Sequence, residues 1–280
     1  MSNKYYLFLL LILWSCHNKQ PQTIEQLVKV GNHHLNFQII QGKGLPMLFE
    51  SGNGEDGSVW APILQPLHAS TGATLITYDR AGLGKSGLDT NRISFQQEIK
   101  DLNKALQQLG FDKDYFLVAH SFGGMYASEF SQINPGKVKG AVFIEVSTPC
   151  NLDKEYTTRI KNTISKENWT MLKQHRIGLY YVLNNFPEIA AYMSQRYLSN
   201  GIPLTVIGAD HYQPNPQIGE TEQDMLDWEN CLKELGTLPN RQYIATKGTD
   251  HKVWEKAPEI VIAEISKRYN RVRKGAASPK

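Results

Sequence analysis

The segment Leu117-Val118-Ala119-His120-Ser121-Phe122-Gly123-Gly124 places a serine between an apolar run and a stretch with helical spacing. The apolar run is typical of a buried strand, and we predict a helix over 123–133 that ends before Pro135. A sharp strand-to-helix turn between small residues exposes a serine hydroxyl at the edge of a sheet. The pattern is small-x-Ser-x-Gly, with Ala119 where glycine is usual. The segment therefore predicts that Ser121 is a nucleophile.

Similar apolar runs recur on both sides of this turn and alternate with stretches of helical spacing. They predict strands at 46–50, 73–78, 138–146, 203–208 and 241–246, after a hairpin at 28–40. Buried strands that alternate with helices form a mostly parallel sheet with helices on both faces. The fold class is therefore α/β. The stretch 151–202 lacks strand patterns and is rich in Tyr and Asn, so we predict that it is a helical cap inserted into the sheet domain.

Composition is that of an ordinary globular protein. The 280 residues are 41% hydrophobic and 20% charged, which suits one large domain rather than a disordered chain. A net charge of +3 is too small to favour a nucleic-acid partner. We predict a core at 28–150 and 203–272, with a flexible tail at 273–280.

The N-terminus has the features of an export signal. Lys4 precedes ten apolar or aromatic residues, Tyr5 to Trp14, fewer than the roughly 20 that a membrane helix needs. Leu13-Trp14-Ser15-Cys16 resembles a bacterial lipoprotein processing box, with Trp14 in place of the usual smaller residue. The resemblance implies a signal peptide at 1–15, a lipid on Cys16, a tether at 16–27 and an exported protein anchored to a bacterial membrane, on the periplasmic or outer-membrane side. The alternatives are an uncleaved signal anchor and an ordinary signal peptide.

Two cysteines remain in the predicted domain, Cys150 and Cys231. An exported protein meets an oxidising compartment, so a disulfide is allowed. Sequence alone does not give the distance between them. We slightly prefer two unpaired, buried thiols.

Four motifs from Val28 to Tyr269 resemble the α/β-hydrolase superfamily in order and spacing. They are Ser51-Gly52-Asn53-Gly54, Asp79-Arg80-Ala81-Gly82-Leu83-Gly84-Lys85-Ser86, the turn at Ser121, and Gly248-Thr249-Asp250-His251. The resemblance implies the α/β-hydrolase fold with a helical cap. It says little about substrate, because this fold supports many reactions. In proteins of this kind the 79–86 segment is structural, and we give it no catalytic role.

A Ser-His-acid triad follows from the order of these motifs. Ser121 needs an adjacent base, and His251, after the last strand, is the candidate. The acid that orients the imidazole is expected to be Asp210, which follows the strand before the last one. Glu145, at the end of an earlier strand, is the alternative acid, since a carboxylate with apolar neighbours needs a partner.

Acyl transfer also needs donors for the developing oxyanion. The resemblance implies the backbone N–H groups of Asn53 and Phe122. We predict no cofactor, and no metal because no His, Cys, Asp or Glu cluster has ligand spacing. A serine at the turn excludes the dehalogenase and epoxide hydrolase reactions that use an aspartate nucleophile.

These observations predict a carboxylesterase-like serine hydrolase that cleaves a small ester or related acyl compound through an acyl-Ser121 intermediate. An acyltransferase or perhydrolase would use the same triad and would differ in using an acceptor other than water. A ligand-binding lipoprotein that has lost catalysis would bind without turnover.

Overall fold

The computed structural model describes residues 22–210 and 213–277. The strands are β1 (Thr23–Val30), β2 (His33–Ile40), β3 (Gly44–Glu50), β4 (Ala73–Tyr78), β5 (Tyr115–His120), β6 (Val138–Ile144), β7 (Leu204–Gly208) and β8 (Arg241–Ala245). The α-helices are α1 (Ala61–Thr71), α2 (Phe95–Gln108), α3 (Gly123–Ile133), α4 (Lys154–Thr163), α5 (Lys166–His175), α6 (Ile177–Asn184), α7 (Phe186–Met193), α8 (Glu222–Thr237), α9 (Val253–Lys256) and α10 (Pro258–Ala277).

The strands form one sheet in the order β1-β2-β4-β3-β5-β6-β7-β8. β2 runs antiparallel to both of its neighbours, β1 and β4, and the pairs from β4 to β8 are parallel. Two clusters of buried apolar side chains, one on each face of the sheet, pack between the central strands and the helices. This is the α/β-hydrolase fold, so the predicted fold class is confirmed. Its parallel strands bring their carboxyl ends, and the loops that follow them, to one edge.

Two boundaries differ from the prediction. β1 begins at Thr23, inside the segment predicted as a tether. Its first five residues are all exposed, so they do not show the alternation of buried and exposed positions that indicates a strand. They form a strand nonetheless, with Thr23 paired to Ile40 of β2. Helix α10 continues to Ala277, inside the predicted tail. The predicted signal peptide and Cys16 lie outside the described residues.

Four helices, α4 to α7, lie in the predicted cap segment between β6 and β7. Within the part of the chain that the structure describes, none of the helices combines the length and apolar character that crossing a membrane requires.

A disulfide joins Cys150 to Cys231, whose Cα atoms are 5.8 Å apart. The preference for two unpaired, buried thiols was therefore wrong, and Cys150 is in fact exposed. The two residues are 81 positions apart in sequence, and only the fold brings α8 to the segment that follows β6. The bridge therefore links the residue before the predicted cap segment to α8.

The disulfide closes a long loop and restricts the unfolded chain. Replacing both Cys150 and Cys231 by alanine is expected to lower the free energy of unfolding by about 4 kcal/mol. Urea denaturation of the oxidised protein and the double variant measures this difference. A double variant as stable as the oxidised protein would contradict it.

Candidate active site

Ser121 lies between β5 and α3 in a left-handed backbone conformation, with φ of 52°. This conformation is uncommon for a residue other than glycine and marks a strained turn. The Ser121 carbonyl accepts hydrogen bonds from the N–H groups of Gly124 and Ser147. The turn predicted from the sequence is therefore present, and we call residues 119–123 the elbow.

Glycines let α3 start directly against the neighbouring strands. A Cβ on Gly124 would lie 2.6 Å from Cβ of Val146, closer than side chains approach one another. On Gly123 it would overlap the carbonyl of Glu50 at the end of β3. The two glycines thus let the elbow reach the carboxyl edge of the sheet without pushing its neighbours apart.

His251 lies in the loop after β8, and its ring contacts two other aromatic rings of the site. The centroid of the ring is 4.6 Å from that of His120, the residue before Ser121. Trp228 of α8 lies on another side, at 5.8 Å. The fold therefore brings the predicted base beside the elbow, although 130 residues separate them in sequence.

Glu145 is the buried carboxylate that lies against the His251 ring. Its Oε2 is 3.5 Å from His251 Nδ1, and only 2% of the side chain is exposed. Oε1 accepts a hydrogen bond from the N–H of Ala209, at 2.6 Å. Glu145 has a φ of 47°, a left-handed backbone conformation directly after β6 that is uncommon for a residue other than glycine.

Asp210, our first choice of acid, lies beside the loop that carries His251. It is exposed, and its Oδ1 accepts a hydrogen bond from the N–H of Thr249, at 3.2 Å. That contact anchors the loop that carries His251. The burial of Glu145 and its 3.5 Å approach to His251 favour Glu145 over Asp210 as the candidate acid.

The predicted oxyanion donors lie on two neighbouring segments. Phe122 is the N-terminal cap of α3, and the first N–H groups of a helix have no partner within it. Asn53 belongs to residues 51–55, which follow β3 and which we call the oxyanion loop. Gly54 in this loop has a φ of 72°. The roles of Asn53 and Phe122 remain predictions.

Arg80, whose role was not predicted from the sequence, holds the oxyanion loop through the carbonyl groups of that loop. Its guanidinium donates hydrogen bonds to the carbonyl groups of Ser51, at 2.7 Å, and Gly52. The group is 4.6 Å from the centroid of the Tyr126 ring and is almost fully buried. Asp79 beside it accepts hydrogen bonds from Asn36, Gly57 and Lys85, so the segment is structural as expected.

Two buried glutamates, Glu50 and Glu98, interact with the charge of Arg80. Burial raises the pKa of Glu50 to about 8, although Arg80 and the hydrogen bond from Tyr78 act against it. Burial likewise raises the pKa of Glu98 to about 7, against the hydrogen bond from Tyr126 and the charge of Arg80. At pH 7 Glu50 is therefore largely protonated in the folded protein, and Glu98 is about half protonated.

A glutamine at Glu50 should remove part of the pH dependence of stability. The folded protein keeps a proton that the unfolded chain releases above about pH 4.5, so its unfolding free energy falls as pH rises towards 8. Glutamine does not titrate. We expect the stability of Glu50→Gln relative to the wild type to increase from pH 5 to pH 8 in urea denaturation. A difference that stays constant with pH would contradict this.

The cap contacts both the oxyanion loop and the elbow. Arg176, between α5 and α6, donates to the carbonyl of Gly54 at 2.6 Å. The ring of Phe186 in α7 is 5.6 Å from that of Phe122. Part of the aromatic content of the cap is structural, since Tyr192 donates a hydrogen bond to Glu129 in α3. The cap therefore packs over the edge of the sheet where Ser121 lies.

Comparisons with known proteins agree with this architecture. The model for the α/β-hydrolase fold matches residues 46–162. The uncharacterized protein YqjL of Bacillus subtilis is 24% identical over 220 residues, 78% of this chain and 81% of YqjL. A thermophilic esterase from Thermogutta terrifontis superposes with a TM-score of 0.58 at 18% identity, over 90% of this chain and 99% of the esterase.

The structural neighbours do not share one reaction. The haloalkane dehalogenase DatA from Agrobacterium tumefaciens superposes with a TM-score of 0.64 at 16% identity, over 89% of this chain and 97% of DatA. Likeness at this level shows the fold alone. The family model and the neighbours together support the α/β-hydrolase superfamily. The reaction has to be argued from the residues of the site.

Proposed function

We propose that this chain is a serine hydrolase that cleaves a small ester or a related acyl compound. The observation that carries the proposal is the contact between buried Glu145 and His251 at the edge where the elbow presents Ser121. A serine, a histidine and a carboxylate in this arrangement have the complementary functions of nucleophile, base and orienting acid.

The chemistry proceeds in two steps on these residues. In the first, Ser121 Oγ attacks the carbonyl carbon of the substrate, and Nε2 of His251 takes the hydroxyl proton. The negative charge on the substrate oxygen is stabilised by the N–H groups of Asn53 and Phe122. The C–O bond to the alcohol then breaks, the leaving oxygen takes the proton from His251, and an acyl-Ser121 ester remains.

In the second step water hydrolyses this ester. His251 takes a proton from the attacking water and returns it to Ser121 Oγ as the acid is released. Glu145, whose Oε2 lies 3.5 Å from Nδ1 of His251, stabilises the imidazolium in both steps. This assignment leaves Nε2 available for the proton transfers.

Hydrolysis of p-nitrophenyl esters of increasing acyl length tests the proposal. We expect turnover of short acyl chains in water. Addition of an alcohol or hydrogen peroxide as a competing acceptor distinguishes a hydrolase from an acyltransferase or perhydrolase, since transfer products would then replace the free acid. Binding of ester-like ligands without turnover would favour the non-catalytic alternative.

We also propose that Cys16 carries a lipid that anchors the protein to a bacterial membrane. The support is the Leu13-Trp14-Ser15-Cys16 sequence after an apolar run. Metabolic labelling with a palmitate analogue should modify the wild type and leave Cys16→Ser unlabelled. Equal labelling of both would refute the anchor.

A further inference from the structure

The carboxylate of Glu55 touches three segments around the site. Its Oε2 accepts a hydrogen bond from the N–H of Gly52, at 3.1 Å, and lies 3.3 Å from Nδ1 of His120. Its Oε1 is 2.7 Å from Nζ of Lys252, the residue after His251. One side chain thus joins the oxyanion loop, the elbow and the loop that carries the base.

Glycine at position 52 allows this arrangement. A Cβ there would lie 2.6 Å from Oε2 of Glu55 and 3.1 Å from Nδ1 of His120. The oxyanion loop therefore folds closely around the carboxylate, which is 19% exposed.

His120 connects the same carboxylate to the backbone of His251. Its Nε2 is 3.0 Å from the carbonyl oxygen of His251. A carbonyl only accepts, so Nε2 carries the proton and donates it. The His120 side chain is 1% exposed and packs edge-on against Trp254 at 4.7 Å, which leaves little freedom for the ring.

The ionisation states of Glu55 and His120 identify which groups donate hydrogen bonds to the Glu55 carboxylate. Burial alone would raise its pKa, but the neighbouring His120 ring and the hydrogen bond and charge of Lys252 lower the pKa to about 2, so the group is ionised at neutral pH. Burial lowers the pKa of His120 to about 4, although the Glu55 carboxylate beside it acts to raise that pKa. At neutral pH the one N–H of the ring, on Nε2, donates to the His251 carbonyl, and Nδ1 has no proton to donate to Glu55. The Gly52 N–H and the Lys252 ammonium are therefore the main donors to the carboxylate.

We propose that Glu55 is a positioning residue that holds the oxyanion loop and His251 at a fixed separation, an inference that rests on the proposed function. Glu55 accepts a hydrogen bond from Gly52, pairs with Lys252 and lies beside His120, and each of these three adjoins a residue of the proposed machinery. Its action is therefore through the position of Asn53 and His251. Misplacing a catalytic group by about 1 Å can cost about 100-fold in rate.

Steady-state kinetics of Glu55→Ala and Glu55→Gln test the proposal, with Asp56→Asn as the matched control. Asp56 is the next residue, and its carboxylate contacts Ser58 locally. We expect kcat of Glu55→Ala to fall about 100-fold while KM changes less than about threefold. Glutamine keeps an acceptor for the Gly52 N–H and should restore part of kcat. Asp56→Asn should stay within about threefold of wild type.

Other results would overturn the proposal. One is a Glu55→Ala protein with wild-type kcat, and another is an equal loss in Asp56→Asn. Circular dichroism melting checks that the variants are folded, and isosteric Glu55→Gln keeps the test available if the alanine variant is not.

If the wild type hydrolyses nothing, the proposed function fails and histidine NMR tests the inference separately. We expect the imidazole resonances of His251 to shift in both Glu55 variants and to stay unchanged in Asp56→Asn. Unchanged His251 resonances in Glu55→Ala would overturn the inference.

Discussion

Ester hydrolysis by Ser121→Ala is expected to fall at least about 10⁴-fold below the wild type, because the reaction then lacks its nucleophile. The oxyanion donors and the substrate site remain, so residual activity is confined to what they supply. The measurement is kcat/KM for a short p-nitrophenyl ester. Alanine adds no atoms at the elbow, so the fold should be kept.

Ser128→Ala is the matched control for this prediction. Ser128 is a buried serine of α3, seven residues beyond Ser121, and the same substitution there removes a hydroxyl away from the proposed machinery. We expect it to keep near-wild-type activity. If Ser121→Ala hydrolyses esters within tenfold of the Ser128→Ala rate, about 1.4 kcal/mol, Ser121 is not the nucleophile.

Replacing Glu145 by glutamine is expected to lower kcat about 10⁴-fold, by the loss of the negative charge that orients and stabilises the His251 imidazolium. The amide has almost the same shape, so packing at the end of β6 should change little. Asp210→Asn, the matched variant of the other candidate, should keep kcat within about tenfold. Both variants are compared with the wild type on one ester.

The reverse ranking would restore Asp210 as the acid. An Asp210→Asn protein that loses more activity than Glu145→Gln would mean that the exposed carboxylate, and not the buried one, supports His251. Equal small losses in both would leave the triad without a required acid and contradict the mechanism.

The sheet and the elbow were predictable because their signals are local. Apolar runs of strand length alternate with helices from 46 to 246, and the small residues around Ser121 fit only a tight turn. The start of the first strand was harder to predict, because β1 is exposed over its first five residues and depends on pairing with β2 rather than on burial. Tertiary pairing there overrides the local pattern.

The acid could not be chosen from the sequence. Asp210 and Glu145 each follow a strand that ends at the same edge of the sheet. The choice depends on the backbone at Glu145, whose positive φ turns its carboxylate towards His251. Apolar neighbours of Glu145 were the one sequence signal, because they imply a buried carboxylate that needs a partner.

The supporting roles of Arg80 and Glu55 could not be predicted from the sequence for a related reason. Arg80 and Glu55 act through contacts with residues up to 197 positions away, namely Lys252 for Glu55. Neither belongs to a spacing pattern that indicates its partner. The same holds for the disulfide, since a Cα separation of 5.8 Å is a property of the fold and not of the cysteine positions in sequence.

The most direct test of the central claim is covalent labelling of the detergent-solubilised, full-length protein with a fluorophosphonate, which reacts with activated serines. Mass spectrometry of the digested protein locates the adduct. We predict one adduct on Ser121 and none in Ser121→Ala. A folded wild-type protein that stays unlabelled, or a label that persists in Ser121→Ala, would contradict the claim that Ser121 is an activated nucleophile.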